Sequence, residues 1–280
     1  MSRFIEGQLL FKRCVATIVM VGGLVLLSGC APLAATPTPE QAKQFLKLRG
    51  YNFDEKSFLA AAAASDSLAV NAFLAAGIDP NSADETTGET AMMAAATGGD
   101  LAIVKILLQG GGDVNRRDQA NSTALLRALQ NKNEEIVGAI VGQGSLDLNA
   151  QGGNGATVLM FYVSREREEM VASLLNRELN VNLQDSDGDT ALHIAAQTGN
   201  AAVVKMLLAK GSNPNVQNRV GGTALMWAAV YGHEEATRIL LDNGADPRLR
   251  DENGVTASKW ALKNERADLG KLLGEAEKRK

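Results

Sequence analysis

The stretch "TALHIAAQTGN", residues 190–200, decides the fold, because the chain repeats it. Variants begin at Thr90 ("TAMMAAATGGD"), Thr123 ("TALLRALQNKN"), Thr157 ("TVLMFYVSRER"), Thr223 ("TALMWAAVYGH") and Thr256 ("TASKWALKNER"), so the leading threonines are spaced 33, 34, 33, 33 and 33 residues. A fixed period of this size marks stacked supersecondary units. Thr190 can cap a first helix, Ala191, Ala195 and Ala196 are small enough for helices to approach closely, and Gly199 suits the left-handed turn where that helix stops. Val203, Val204, Leu207 and Leu208 then give a second helix one buried stripe. Gly211 closes it, and "SNPN" opens an extended arm toward the next copy. One unit alone leaves its apolar surface open, so the stack is the stable object.

This motif and its period resemble ankyrin repeats over nearly the whole chain after residue 53. The resemblance implies an all-α repeat solenoid, helix-turn-helix units stacked with short extended or β-turn arms, filling residues 54–275 with roughly seven repeats once degenerate end copies are included. One such copy, "SFLAAAAASDSLAVNAFLAAGIDPN", starts at Ser57 with Lys56 where the threonine would stand. Residues 39–53 read as an N-terminal capping helix: Thr38 is a candidate N-cap, Pro39 sits at the first helical position, Gly50 stops it, and Phe45, Leu46 and Leu48 form its apolar side. At the other end Ser258 and Lys259 replace hydrophobic residues of the motif, as a polar outer face would require, and 276–280 reads as a charged tail.

Ahead of the repeats lies a different signal. Arg3, Lys12 and Arg13 precede an uncharged run from Cys14 to Gly29, 16 residues where a membrane span needs about 20, so residues 1–29 read as a cleaved secretory signal. "LSGC", 27–30, resembles the lipobox of bacterial lipoproteins, which implies acylation of Cys30 as the first mature residue. Ala31 after the cysteine implies sorting to the outer membrane, facing the periplasm, with the cell surface as the alternative exposure. Residues 30–38 are then a lipidated linker, and the seven residues 31–37 reach at most about 25 Å.

Composition narrows the function classes. Removing the signal moves the formal charge from −4 to −6, which argues against nucleic acid as a partner. Cys14 leaves with the signal and Cys30 carries lipid, so no disulfide is available and packing alone holds the fold. "DSDGD" at 185–189 has its glycine at the fourth position and Ala196 at the twelfth, where a calcium loop needs glycine sixth and glutamate last. "QGGNGA" at 151–156 lacks the continuation of a phosphate loop. His193 and His233 are the chain's two histidines, at positions where the resemblance implies packing and hydrogen bonding. No metal, cofactor or enzymatic activity is expected, and the chain is expected to be monomeric.

What remains is surface. In ankyrin repeats the arm tips and the exposed side of the first helices bind proteins, which points here to Asp187, Asp189 and Arg219 on the arms and to Arg165, Gln197 and Tyr231 on the helices. Four residues beyond each threonine stand Ala94, Arg127, Phe161, Ile194, Trp227 and Trp260, three of them large aromatics in a chain that is 4% aromatic. Aromatic anchors favour binding hot spots, while the same position can instead pack on a neighbouring repeat. The expected function is a lipid-anchored envelope protein that binds an unidentified protein. An immunity-type lipoprotein that neutralises a toxic enzyme, and a scaffold or protector of an envelope enzyme, are the alternatives. One unit departs from the pattern: Tyr162 and Val163 replace the alanine pair and Glu166 the junction glycine, while Leu129 and Lys132 do so partly in the copy before it. The centre of the array is therefore expected to be distorted or weak.

Overall fold

The computed structural model describes residues 37–279, and Cys30 with the signal read over 1–29 lies outside the described residues. Helix α1 (Pro39–Leu48) stands alone; pairs follow, α2 (Glu55–Ala63) with α3 (Ser67–Ala75), α4 (Ala91–Gly98) with α5 (Leu101–Gln109), and α6 (Ala124–Gln130) with α7 (Glu134–Val141). Four more are α8 (Val158–Ser164) with α9 (Glu168–Leu175), α10 (Ala191–Thr198) with α11 (Ala201–Ala209), α12 (Ala224–Tyr231) with α13 (Glu234–Asp242), and α14 (Ala257–Lys263) with α15 (Ala267–Arg279). Among the described residues there is no strand, only an isolated bridge between Ala83 and Thr90, and no helix long and apolar enough to cross a membrane. The chain divides into two compact units, one ending at Leu146 and one beginning at Asp147. In the first, α2, α4 and α6 form one layer and α1, α3, α5 and α7 the other; in the second, α8, α10, α12 and α14 form one layer and α9, α11 and α13 stack behind them. Within each unit this is an all-helical repeat solenoid.

Local chemistry explains the pairs. Each repeated threonine is the N-cap of its first helix, and the hydroxyls of Thr90, Thr123, Thr157 and Thr223 accept the N–H three residues on at 3.2–3.3 Å. Second helices start on Asp66, Asp100, Asn133 and Asn200, whose side chains cap at 3.0–3.1 Å. The pairs Ala95–Ala96, Ala195–Ala196 and Ala228–Ala229 are fully buried, as are Val203, Val204 and Leu207 behind them. Burying each such Val or Leu is worth about 1.5–3 kcal/mol, and it is lost if the neighbouring repeat is removed. Leu208 is only half-buried.

The arms are tied by a ladder that the threonine motif does not announce. Asn182 Oδ1 accepts from Asn213 N at 2.8 Å while its Nδ2 donates to Gly211 O at 3.1 Å, and Asn215 does the same with Asp246 N and Gly244 O. Two residues on, Gln151, Gln184 and Gln217 each donate both to a glycine carbonyl of their own arm and to the next arm's backbone. The arms touch closely enough that a Cβ on Gly188, at φ +80, would lie 2.8 Å from Arg219 N.

The ends differ from expectation in three places. Thr38 and Gln41 form a capping box on α1, but Leu48 is 67% exposed, because 100° per residue carries it away from the stripe of Ala42, Phe45 and Leu46. Ser258 does not face solvent: it is buried beneath α15, donating to Glu277 Oε1 at 2.6 Å. Residues 276–279 continue α15.

Candidate functional site

Phe161, Ile194, Trp227 and Trp260 sit at the same offset from their N-caps on α8, α10, α12 and α14, the layer whose members pack side by side in the second unit. All four are half-buried, between fully buried alanines or their substitutes and the solvent. At each position the inner edge of the side chain packs and its outer edge faces solvent, so the four line one wall.

Each aromatic is braced. The Arg165 guanidinium lies 4.6 Å from the Phe161 ring centre, and Phe161 meets Tyr162 edge-on at 5.4 Å. Trp227 stacks on Tyr231 at 6.2 Å, Tyr231 stacks on His233 at 6.2 Å, and Gln197 Nε2 donates to the Tyr231 hydroxyl at 3.2 Å. His233 Nε2 lies 3.0 Å from Gln197 O, and its ring occupies the space a side chain at Gly199 would need, since a Cβ there would run into it. Trp260 donates its indole N–H to Asp251 Oδ2 at 2.9 Å, with the Lys263 ammonium 4.7 Å over its ring. Braced rings of this kind lose little freedom when a partner lands on them. Tyr231 at 44% exposure and Val220 at 47% are the large apolar side chains left open along α12 and the arm before it.

Arg127 has a different setting. It belongs to the first unit, where its guanidinium pairs with Glu89 at 3.0 Å and Asp118 at 2.7 Å and donates to Thr97 Oγ1 at 3.1 Å. Burial of Asp118 raises its pKa, but the Ser122 N–H and Arg127 outweigh that and hold the carboxyl below its usual value. Ala94 occupies the corresponding place in the repeat before.

The arm residues serve the turns as well as the surface. Asp185 Oδ1 accepts from the N–H groups of Asp187 and Asp189, both at 2.9 Å, so the carboxylate of "DSDGD" is engaged in its own turn. Asp189 accepts from Asn218 Nδ2 at 2.8 Å, and Arg219 N–H donates to Asp187 O at 2.9 Å, leaving the Asp187 and Arg219 side chains exposed. Among the described residues no group of three His, Cys, Asp or Glu side chains converges to hold a metal. His193 is buried, with Nδ1 3.1 Å from Thr190 N and Nε2 3.2 Å from Gly222 O. Reading by offset alone missed Asp251, which fixes Trp260, and the Asn-x-Gln signature of the arm ladder at 149–151, 182–184 and 215–217 was available in the sequence but passed over.

Compared with known families, the chain matches a model for ankyrin repeats in three overlapping segments, 58–151, 140–218 and 209–280. No curated protein matches it.

Proposed function

This chain belongs to the ankyrin-repeat family, and from that premise we propose that it is a non-enzymatic binding protein whose helix wall in the second unit grips another protein at the envelope of a bacterial cell. The observation that carries this is the row of half-buried side chains at one offset, Phe161, Ile194, Trp227 and Trp260, with Tyr231 open beside it. Braced aromatics at the centre of a surface are the residue types on which interfaces concentrate their energy. The arm tips at Asp187, Asp189 and Arg219 rim the same unit. The envelope address is supported by the basic residues, apolar run and "LSGC" of residues 1–30, which fit cleavage before Cys30, its acylation, and an outer-membrane location.

Two measurements test the two halves. A photo-crosslinking phenylalanine analogue in place of Tyr231 should give one dominant protein adduct in the envelope. Phe161→Ala with Trp227→Ala, in a chain shown by circular dichroism to be folded, should abolish it, since each aromatic anchor contributes on the order of 2 kcal/mol. An adduct that survives both truncations moves the partner off this wall. Separately, Cys30→Ala should remove the acyl mass and the membrane retention, and an unchanged mass would defeat the lipid anchor.

A further inference from the structure

The helix wall of the second unit carries charge of one sign. Residues 158–165, 191–198, 224–231 and 257–264 contain Arg165, Lys259 and Lys263 and no Asp or Glu, in a chain whose formal charge is −4. Arg165 and Lys263 stand at the two ends of the row, each over an aromatic ring, Phe161 and Trp260. Among the described residues neither cation has a carboxylate within ion-pair distance. Arg127, at the row's offset in the first unit, shows the contrast, since Glu89 and Asp118 neutralise it. Between the two cations the wall is uncharged, its apolar side chains Ile194, Trp227, Val230 and Tyr231 interrupted by Gln197, which is bonded to the Tyr231 hydroxyl.

We propose that this wall receives an extended acidic segment of the partner protein, with an apolar side chain seated on Ile194, Trp227 and Tyr231 and carboxylates reaching Arg165 and Lys263. The inference rests on reading the wall as the binding surface and adds the chemistry of what binds. Stacked helices lie about 8–10 Å apart, so the three steps from α8 to α14 span roughly 25–30 Å. That is the length of about eight or nine residues in extended conformation. The first helices carry no acid; the exposed acids nearest the wall are Glu166 and Glu265 at the helix junctions and Asp187 and Glu252 on the arm tips, while Glu168, Glu169, Glu234 and Glu235 belong to the second layer. A segment with carboxylates turned to the helices and polar or basic groups turned to the arms satisfies both edges. A basic segment would set like charge against Arg165 and Lys263, where nothing in the wall offsets it.

The test uses the mature chain carrying Cys30→Ala and a random dodecapeptide library, with recovered peptides measured by fluorescence anisotropy. Peptides whose binding depends on Phe161 and Trp227 should carry Asp or Glu on both sides of an apolar centre. They should bind about tenfold or more weakly to Arg165→Glu with Lys263→Glu, and weaken similarly between low and high salt. Wall-dependent peptides that are neutral or basic, or that ignore the charge reversal, overturn the acidic-segment inference and leave the wall as a binding surface. Recovery of no wall-dependent peptide overturns the wall itself. A single-stranded oligonucleotide that displaces the peptides at equal concentration would replace the protein segment with a nucleic acid.

Discussion

His193 shows how one side chain serves two repeats. Its Nδ1 accepts the Thr190 N–H, which leaves Nε2–H to donate to the Gly222 carbonyl at the foot of the next arm, so the ring is neutral and bridges the turn of its own repeat to its neighbour. Burial is the first cause that lowers its pKa, against an opposing pull from Asp189. The sign follows from linkage: the unfolded chain takes up a proton near pH 6.5 and the folded chain resists it until lower pH. The contribution is thus complete above about pH 6.5 and is lost as pH falls toward the depressed folded value. The melting temperature should therefore fall between pH 7.5 and pH 5.5 more steeply in the parent chain than in His193→Gln, which keeps an acceptor for Thr190 and cannot titrate. Parallel slopes in the two proteins would show that the imidazole is not the group responsible. Trp260 and Arg127 make the complementary point about reading residues. Both share an offset with Trp227, yet Asp251 fixes one and Glu89 with Asp118 neutralises the other.

At the scale of the helix pair, the junction between first and second helices is set by backbone conformation. Gly99, Gly199 and Gly232 hold φ of 78°, 76° and 81°, and Lys132 and Glu166 hold 55° in the same role. The irregular repeats keep the positive-φ turn and bear its strain, and their first helices α6 and α8 stop one residue earlier than α4, α10 and α12. A non-glycine residue in this region costs about 1 kcal/mol. Glu166→Gly should therefore stabilise the chain by about 1 kcal/mol and slow amide exchange in α8 and α9. No change in either would mean that Glu166 makes a compensating contact. The element scale is also where the sequence was most legible. Helix starts, the alanine pairs and the second-helix stripes follow from period and residue size, and six threonines place six first helices. Less legible were contacts that join neighbouring repeats, such as Arg127 with Glu89 or Asn218 with Asp189, because no local pattern records which side chains meet after stacking.

At the scale of the molecule, each repeat rests on its sequence neighbours, so repeats with weaker junctions open first. Three weaknesses fall together between residues 123 and 176, against two from Thr223 onward, where Glu265 holds a positive φ of 62° and α13 starts on His233 with no side-chain cap. Lys132 and Glu166 occupy positive φ, and α9 starts on Arg167 with no side-chain cap, a defect worth roughly 0.5–2 kcal/mol beside the Asn200 cap of α11. The chain's two tryptophans lie outside this stretch, Trp227 stacked on Tyr231 and Trp260 bonded to Asp251, and they report on the repeats from Thr223 onward. Circular dichroism reports on all the helices at once. In a denaturant titration the helical signal should begin to fall at lower concentration than tryptophan fluorescence changes, and Glu166→Gly should draw the two curves together by raising the first. Coincident curves in the parent chain would mean that the array unfolds as one cooperative body, with the strained junctions fully supported by the packing around Tyr162 and Val163, both of which are buried to 1% exposure.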